Sequence, residues 1–312
     1  MLYAPIEPHR QGHLQTASGH GVYYEVCGNP SGIPVLFLHG GPGSSINPTH
    51  RRFFDPQRTR VVLFDQRGCG RSTPRGAVER NTTADLIEDI EALREMLSVQ
   101  RWVLFGGSWG STLALAYAQA HPARVSGCVL RGVFLATRDE IDWYFAGLRR
   151  FVPQAWSALM DGLAATDASS AIDCYAQRVF GADREIALGA ARRLAAYEGA
   201  VMAVGEQAGS GGAQDAEALL DRVRVYLHYL RNDCFLRAGA LLDGIERIAH
   251  LPAIIVQGRR DLVCPPVTAD ILHRRWAGSQ LRMVEDGGHS ALHPAMSAAL
   301  VDAARDILAL LQ

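Results

Sequence analysis

Short runs rich in Val, Leu, Ile and Phe recur along the chain at Val22 to Val26, Val35 to Leu38, Val61 to Phe64, Trp102 to Phe105, Cys128 to Leu130, Ile254 to Gln257 and Leu281 to Val284. Helix-compatible patterns lie between them. The clearest spans Thr82 to Leu97, with hydroxyls at its start and acids in its first turns. Apolar strands alternating with helices predict a mostly parallel sheet covered on both faces, an α/β architecture. The rhythm breaks once. From residue 137 to 244 no strand pattern is visible, and Ala, Arg and Leu dominate. The expected organisation is therefore an α/β core formed by residues 1–136 and 245–312, with a helical cap at 137–244. Within the cap, the Gly-rich stretch GEQAGSGGAQDA at 205–216 is expected to be mobile.

Composition narrows the function. With 48% hydrophobic and only 20% charged residues, 312 residues can bury a large core. A net charge of −1 leaves no basic footprint for nucleic acid and no basic amphipathic segment for a membrane surface. No secretory leader or membrane span is expected, which predicts a cytoplasmic protein. The six cysteines are scattered singly, without a C-x-x-C pair or a His/Cys cluster of metal spacing, and are expected to be reduced, buried thiols. All 31 basic residues are Arg. Without lysine there is no Schiff-base chemistry and no Ser–Lys dyad, so a hydroxyl nucleophile needs a different base.

That nucleophile is suggested by LFGGSWGST at 104–112. Gly106-Gly107-Ser108-Trp109-Gly110 fits G-x-S-x-G, in which small residues permit a strained strand-to-helix turn that presents the serine hydroxyl above a sheet. The motif stands between a predicted strand and a predicted helix, as its mechanics require. In this architecture the acid and the base follow the serine in the order Asp/Glu, then His. Asp261 in QGRRDLVCP and His289 in EDGGHSA each follow a predicted strand closely. Asp65 precedes the serine, Asp286 belongs to the loop of His289, and His39 comes too early, so His39 is expected to be structural. Oxyanion donors are expected from the backbone N–H of Trp109 and, in LHGGPGSS, of Gly41. Cys264 is expected to pack in the core rather than act.

HGGPG, DQRGCGRSTP at 65–74, GGSWGSTLALAYAQAHP and GRRDLVCP together resemble the prolyl aminopeptidases (proline iminopeptidases) of the α/β-hydrolase superfamily, over nearly the whole chain. The resemblance implies a cofactor-free, metal-free serine peptidase that removes an N-terminal proline from small peptides, beneath a helical cap. It also implies that Arg131, Phe134 and Tyr144 line or support the proline pocket, and that two cap glutamates hold the substrate amine. Glu198 in AAYEGAVM matches the first. At the second, in VRVYLHYLRN, Tyr226 stands in place of glutamate. With Leu194, Val201 and Met202, Glu198 falls on an apolar helical stripe, where a carboxylate needs a cation. The substrate ammonium is one candidate, and an arginine such as Arg192 or Arg193 is the other. Tyr226 carries no charge at neutral pH, so weaker amine recognition is expected. Three functions follow from the sequence. They are a proline-specific exopeptidase, an esterase or amino-acid amidase for small substrates, and, remotely, a non-catalytic binding protein on a hydrolase scaffold.

Overall fold

The apolar runs become strands of one sheet. The computed structural model describes residues 1–204 and 215–311. Its strands are β1 (Arg10–Gln15), β2 (Gly21–Gly28), β3 (Ile33–Leu38), β4 (Thr59–Phe64), β5 (Trp102–Ser108), β6 (Val125–Val133), β7 (Ala253–Gly258) and β8 (Ser279–Val284). They form one eight-stranded sheet in the order β1-β2-β4-β3-β5-β6-β7-β8. β2 pairs antiparallel with β1 and β4, and the remaining neighbours are parallel. The helices are α1 (Thr83–Met96), α2 (Trp109–Ala120), α3 (Arg138–Phe145), α4 (Pro153–Met160), α5 (Ala168–Val179), α6 (Arg184–Met202), α7 (Ala216–Arg231), α8 (Ala240–Asp243), α9 (Pro266–Arg275) and α10 (Pro294–Ala309).

Successive strand residues point to opposite faces, and both faces are covered. Leu36 and Leu38 of β3, Val62 and Phe64 of β4, and Trp102 and Leu104 of β5 join a cluster with Leu86, Ile90 and Leu93 of α1, Leu113 of α2 and Leu272 of α9. Their neighbours Val35, Phe37, Val61, Leu63, Val103 and Phe105 join Phe53, Phe54, and Leu300 and Ile307 of α10. The one strand absent from the hydrophobic pattern is β1. In RQGHLQ only Leu14 is apolar, because an edge strand exposed to solvent needs no apolar face. α1 starts as its sequence predicts, with a capping box in which the Thr82 hydroxyl accepts from the Asp85 N–H and the Asp85 carboxylate accepts from the Thr82 N–H.

Between β6 and β7 the described residues carry helices and no strand. Buried residues of α5, α6 and α7, among them Tyr175, Leu194 and Val223, belong to the same apolar cluster as α2 and β5. Hydrogen bonds secure the junction: Trp143 Nε1 donates to the Leu262 carbonyl (2.7 Å) and the Tyr229 hydroxyl to Asn81 Oδ1 (2.9 Å). The Gly-rich stretch 205–216, expected to be mobile, lies outside the described residues except for its last two.

Candidate active site

Ser108 ends β5, and α2 begins at the next residue. Its backbone sits at φ +55°, ψ −129°, a conformation that costs a non-glycine residue about 1–3 kcal/mol. The turn can be this sharp because Gly110 lets α2 abut β3: a Cβ there would lie 2.1 Å from the Leu38 carbonyl oxygen. The Ser111 hydroxyl donates to the Ser108 carbonyl (2.6 Å) and fixes the turn. Ser108 thereby lines a cavity of about 430 Å³ at the carboxyl ends of the central strands.

His289 lines the same cavity. Its Nδ1 lies 2.8 Å from Asp261 Oδ2 and 3.0 Å from Oδ1. Asp261, in the loop after β7, is buried, and its Oδ1 also accepts from the Cys264 N–H (2.8 Å). With Nδ1–H donated to this carboxylate, Nε2 is the nitrogen that carries a lone pair. The loop after β8 that bears His289 is held by Arg131, whose Nη1 donates to the His289 carbonyl (2.6 Å). Arg131 therefore supports the histidine as well as lining the cavity.

The turn after β3 closes on the serine: a Cβ on Gly40 would lie 3.4 Å from Ser108 Cβ. Gly41 follows at φ +117°. Gln66, which the sequence reading did not single out, joins this turn to the elbow. Its Nε2 donates to the His39 carbonyl (3.0 Å), and its Oε1 accepts from Trp109 Nε1 (2.8 Å). Its position just past β4, inside DQRG, was the available signal. His39 is fully engaged, with Nδ1 donating to the Gly40 carbonyl (2.9 Å) and Nε2 accepting from the Gln66 N–H (3.0 Å), and burial pushes its pKa down. Asp65 is occupied too, accepting from the N–H groups of Ile46 (2.7 Å) and Arg71 (2.9 Å). Asp286 is an exposed partner of Arg260.

Tyr144, Glu198 and Tyr226 line the cavity from the helices after β6, and Phe134 from the segment that follows β6. Glu198 is paired with neither Arg192 nor Arg193. Arg193 reaches the Asp161 carbonyl (2.7 Å), whereas Glu198 Oε2 accepts from Arg222 Nη2 (2.7 Å). Arg222 lies on α7, one turn before Tyr226, while Glu198 lies on α6, so spacing along the chain gave no sign of the pair. Burial pushes the Tyr226 phenol further above its ordinary pKa and keeps it neutral. Cys264 also lines the cavity, near Ser108, and burial raises its thiol well above the usual value, the state of a packed thiol rather than a reactive one. Glu140 accepts from the Leu135 and Thr137 N–H groups and the Thr137 hydroxyl. Among the described residues no group of three or more His, Cys, Asp or Glu could hold a metal ion.

A serine on a strained strand–helix turn, with a carboxylate-bound histidine at the same cavity, is the arrangement of hydrolases built on the α/β fold. Residues 33–295 match the family model described as the alpha/beta hydrolase fold. The chain is 46% identical to the proline iminopeptidase of Arabidopsis thaliana over 99% of its length and 83% of that protein, and 43% identical to that of Neisseria gonorrhoeae over 98% and 99%. It belongs to the proline iminopeptidase family. Among solved structures, a putative aryl esterase from Burkholderia cenocepacia shares the fold, with a TM-score of 0.62 and 18% identity over 96% of this chain and 100% of that one. No helix among the described residues is long and apolar enough to cross a membrane.

Proposed function

We propose that the chain releases an N-terminal proline, or a similar small amino acid, from small peptides by acyl transfer through Ser108. Ser108 Oγ attacks the scissile carbonyl while His289 Nε2 takes its proton, and Asp261 holds the imidazole in the required tautomer. The N–H groups of Gly41 and Trp109 receive the developing oxyanion. Collapse of the tetrahedral intermediate expels the amine, which takes the proton from His289. Water, deprotonated by the same nitrogen, then cleaves the acyl-enzyme and frees Ser108. Phe134, Tyr144, Glu198 and Tyr226 surround the acyl part, and Arg131 keeps the histidine loop in place.

The observation that carries this reading is the Asp261–His289 contact of 2.8 Å on the cavity that Ser108 lines, in a chain of this family. The division into a core of 1–136 and 245–312 with a cap at 137–244 accords with it, since the helices after β6 roof that cavity. A cytoplasmic setting is supported by six free cysteines. The test is hydrolysis of prolyl 4-nitroanilide. Ser108→Ala should lower turnover at least about 10⁴-fold while retaining the native circular dichroism spectrum. Undiminished turnover by the folded variant would overturn the assignment.

A further inference from the structure

α6 and α7 pack against one another and bring Glu198 and Arg222 together on the roof of the cavity. Arg222 Nη2 donates to Glu198 Oε2 at 2.7 Å, with the two side chains 27% and 45% exposed. The Nε of Arg222 is buried and has no hydrogen-bond partner among the described residues. Tyr226 adds a neutral hydroxyl one turn further along α7. The other carboxylate that lines the cavity, Glu140, is consumed by Leu135 and Thr137. Over the acyl site, then, the one carboxylate that the described residues leave to a substrate is already matched by a guanidinium from its own chain.

This bears on a substrate's α-ammonium in two ways. To pair with Glu198 it must share the carboxylate with, or displace, an intramolecular partner that loses no translational freedom on pairing, and it must approach the positive charge of Arg222. An uncharged oxygen meets the opposite situation, because the Tyr226 hydroxyl on the cavity wall is able to donate to it and the neighbouring guanidinium charge attracts it. We infer that Arg222 is a specificity-determining residue that stands in for the substrate's cation, so that the site accepts N-acylated proline as readily as proline with a free amine. The inference rests on Ser108 performing acyl transfer with the acyl group beneath α6 and α7.

The test compares kcat and KM for prolyl and N-acetylprolyl 4-nitroanilide at pH 7, below the ordinary α-amino pKa of about 7.7–8.0, so that the free amine is charged. A short-chain aryl ester is run in parallel as a probe of the acyl-transfer machinery. In the wild type, KM for the acetylated anilide should be no higher than for the free one. Arg222→Met keeps a stem of similar bulk and frees Glu198. It should raise the prolyl/N-acetylprolyl ratio of kcat/KM about tenfold or more through the KM of the prolyl substrate, on the scale of a charged hydrogen bond. The rise should vanish in the Glu198→Gln, Arg222→Met double variant. A ratio unchanged by Arg222→Met, or a rise that survives without Glu198, overturns the inference. So does a wild type that binds the free amine at least tenfold more tightly, a result that needs no variant to fold. Ester turnover that depends on Ser108 keeps the acyl-transfer reading intact in all of those cases, whereas wild-type protein inert toward all three substrates would sink that reading instead.

Discussion

Replacing Gln66 by Leu removes a side chain that does not line the cavity yet holds two of its walls together. Gln66 is 2% exposed and bonds the His39 carbonyl at 3.0 Å and Trp109 Nε1 at 2.8 Å. Leucine fills similar space, so the main cost is two buried polar groups left without partners, each about 1–3 kcal/mol. The sum, roughly 2–6 kcal/mol, should lower Tm by about 3–9 °C. The catalytic consequence comes from what those two residues adjoin. His39 leads into the turn of Gly40 and Gly41, and the Trp109 backbone N–H is the other proposed oxyanion donor. Losing one donor outright costs on the order of 10²–10³ in kcat. Loosening the pair should cost less, between about tenfold and a hundredfold, with KM within about threefold because the acyl-side contacts remain. Stopped assays of prolyl anilide hydrolysis below the variant's Tm separate the two effects. A folded Gln66→Leu protein with lowered Tm and native kcat would refute the positioning role and leave Gln66 a stabilising residue only.

Ser108→Gly should be inactive and more stable than Ser108→Ala by about 1 kcal/mol, since glycine adopts φ +55° without strain. Calorimetry decides this, and an alanine variant of equal or higher Tm would count against stored strain at the elbow. Acid stability gives a second check. Glu25 is buried between Arg51 (2.9 Å) and Arg71 (2.7 Å). Burial pushes its pKa up, but the hydrogen bonds and charges of the two guanidinium groups outweigh that and hold it below the ordinary value. A depressed folded-state pKa means stabilisation present above the unfolded value of about 4.3 and lost as pH falls through the folded one. The Tm gap between wild type and Glu25→Gln should therefore narrow below about pH 4.3, and a gap constant down to pH 3 would contradict the assignment.

What the sequence made legible is what local pattern encodes. Strands buried on both faces announce themselves as apolar runs, and the elbow is a five-residue motif in which a strand runs directly into a helix. Asp261 and His289 followed from chain order and from their places just past β7 and β8. β1 stayed hidden because an exposed edge strand carries no apolar signature. Arg222 and Gln66 stayed hidden for another reason: each acts through a partner far along the chain, 24 residues away at Glu198 and 43 away at Trp109. Periodicity marked Glu198 as a carboxylate in need of a cation, but the choice of cation is made by the packing of α6 on α7, which no local pattern carries.

That packing links specificity to turnover. A Cβ on Gly43 would lie 2.4 Å from the Arg222 carbonyl oxygen, so the helix carrying Arg222 and Tyr226 rests directly on the HGGPG turn. Any change that shifts the α7 backbone must also shift the turn whose Gly41 N–H is proposed to meet the oxyanion. Acyl-side recognition and transition-state stabilisation are then adjusted by one contact, and a substitution that moves the helix will register in kcat as well as in KM. Arg222→Met escapes this coupling because it alters only atoms beyond the side-chain stem. A change confined to KM after that substitution therefore reports the ion pair, whereas a matching loss in kcat would report movement of α7 against the turn.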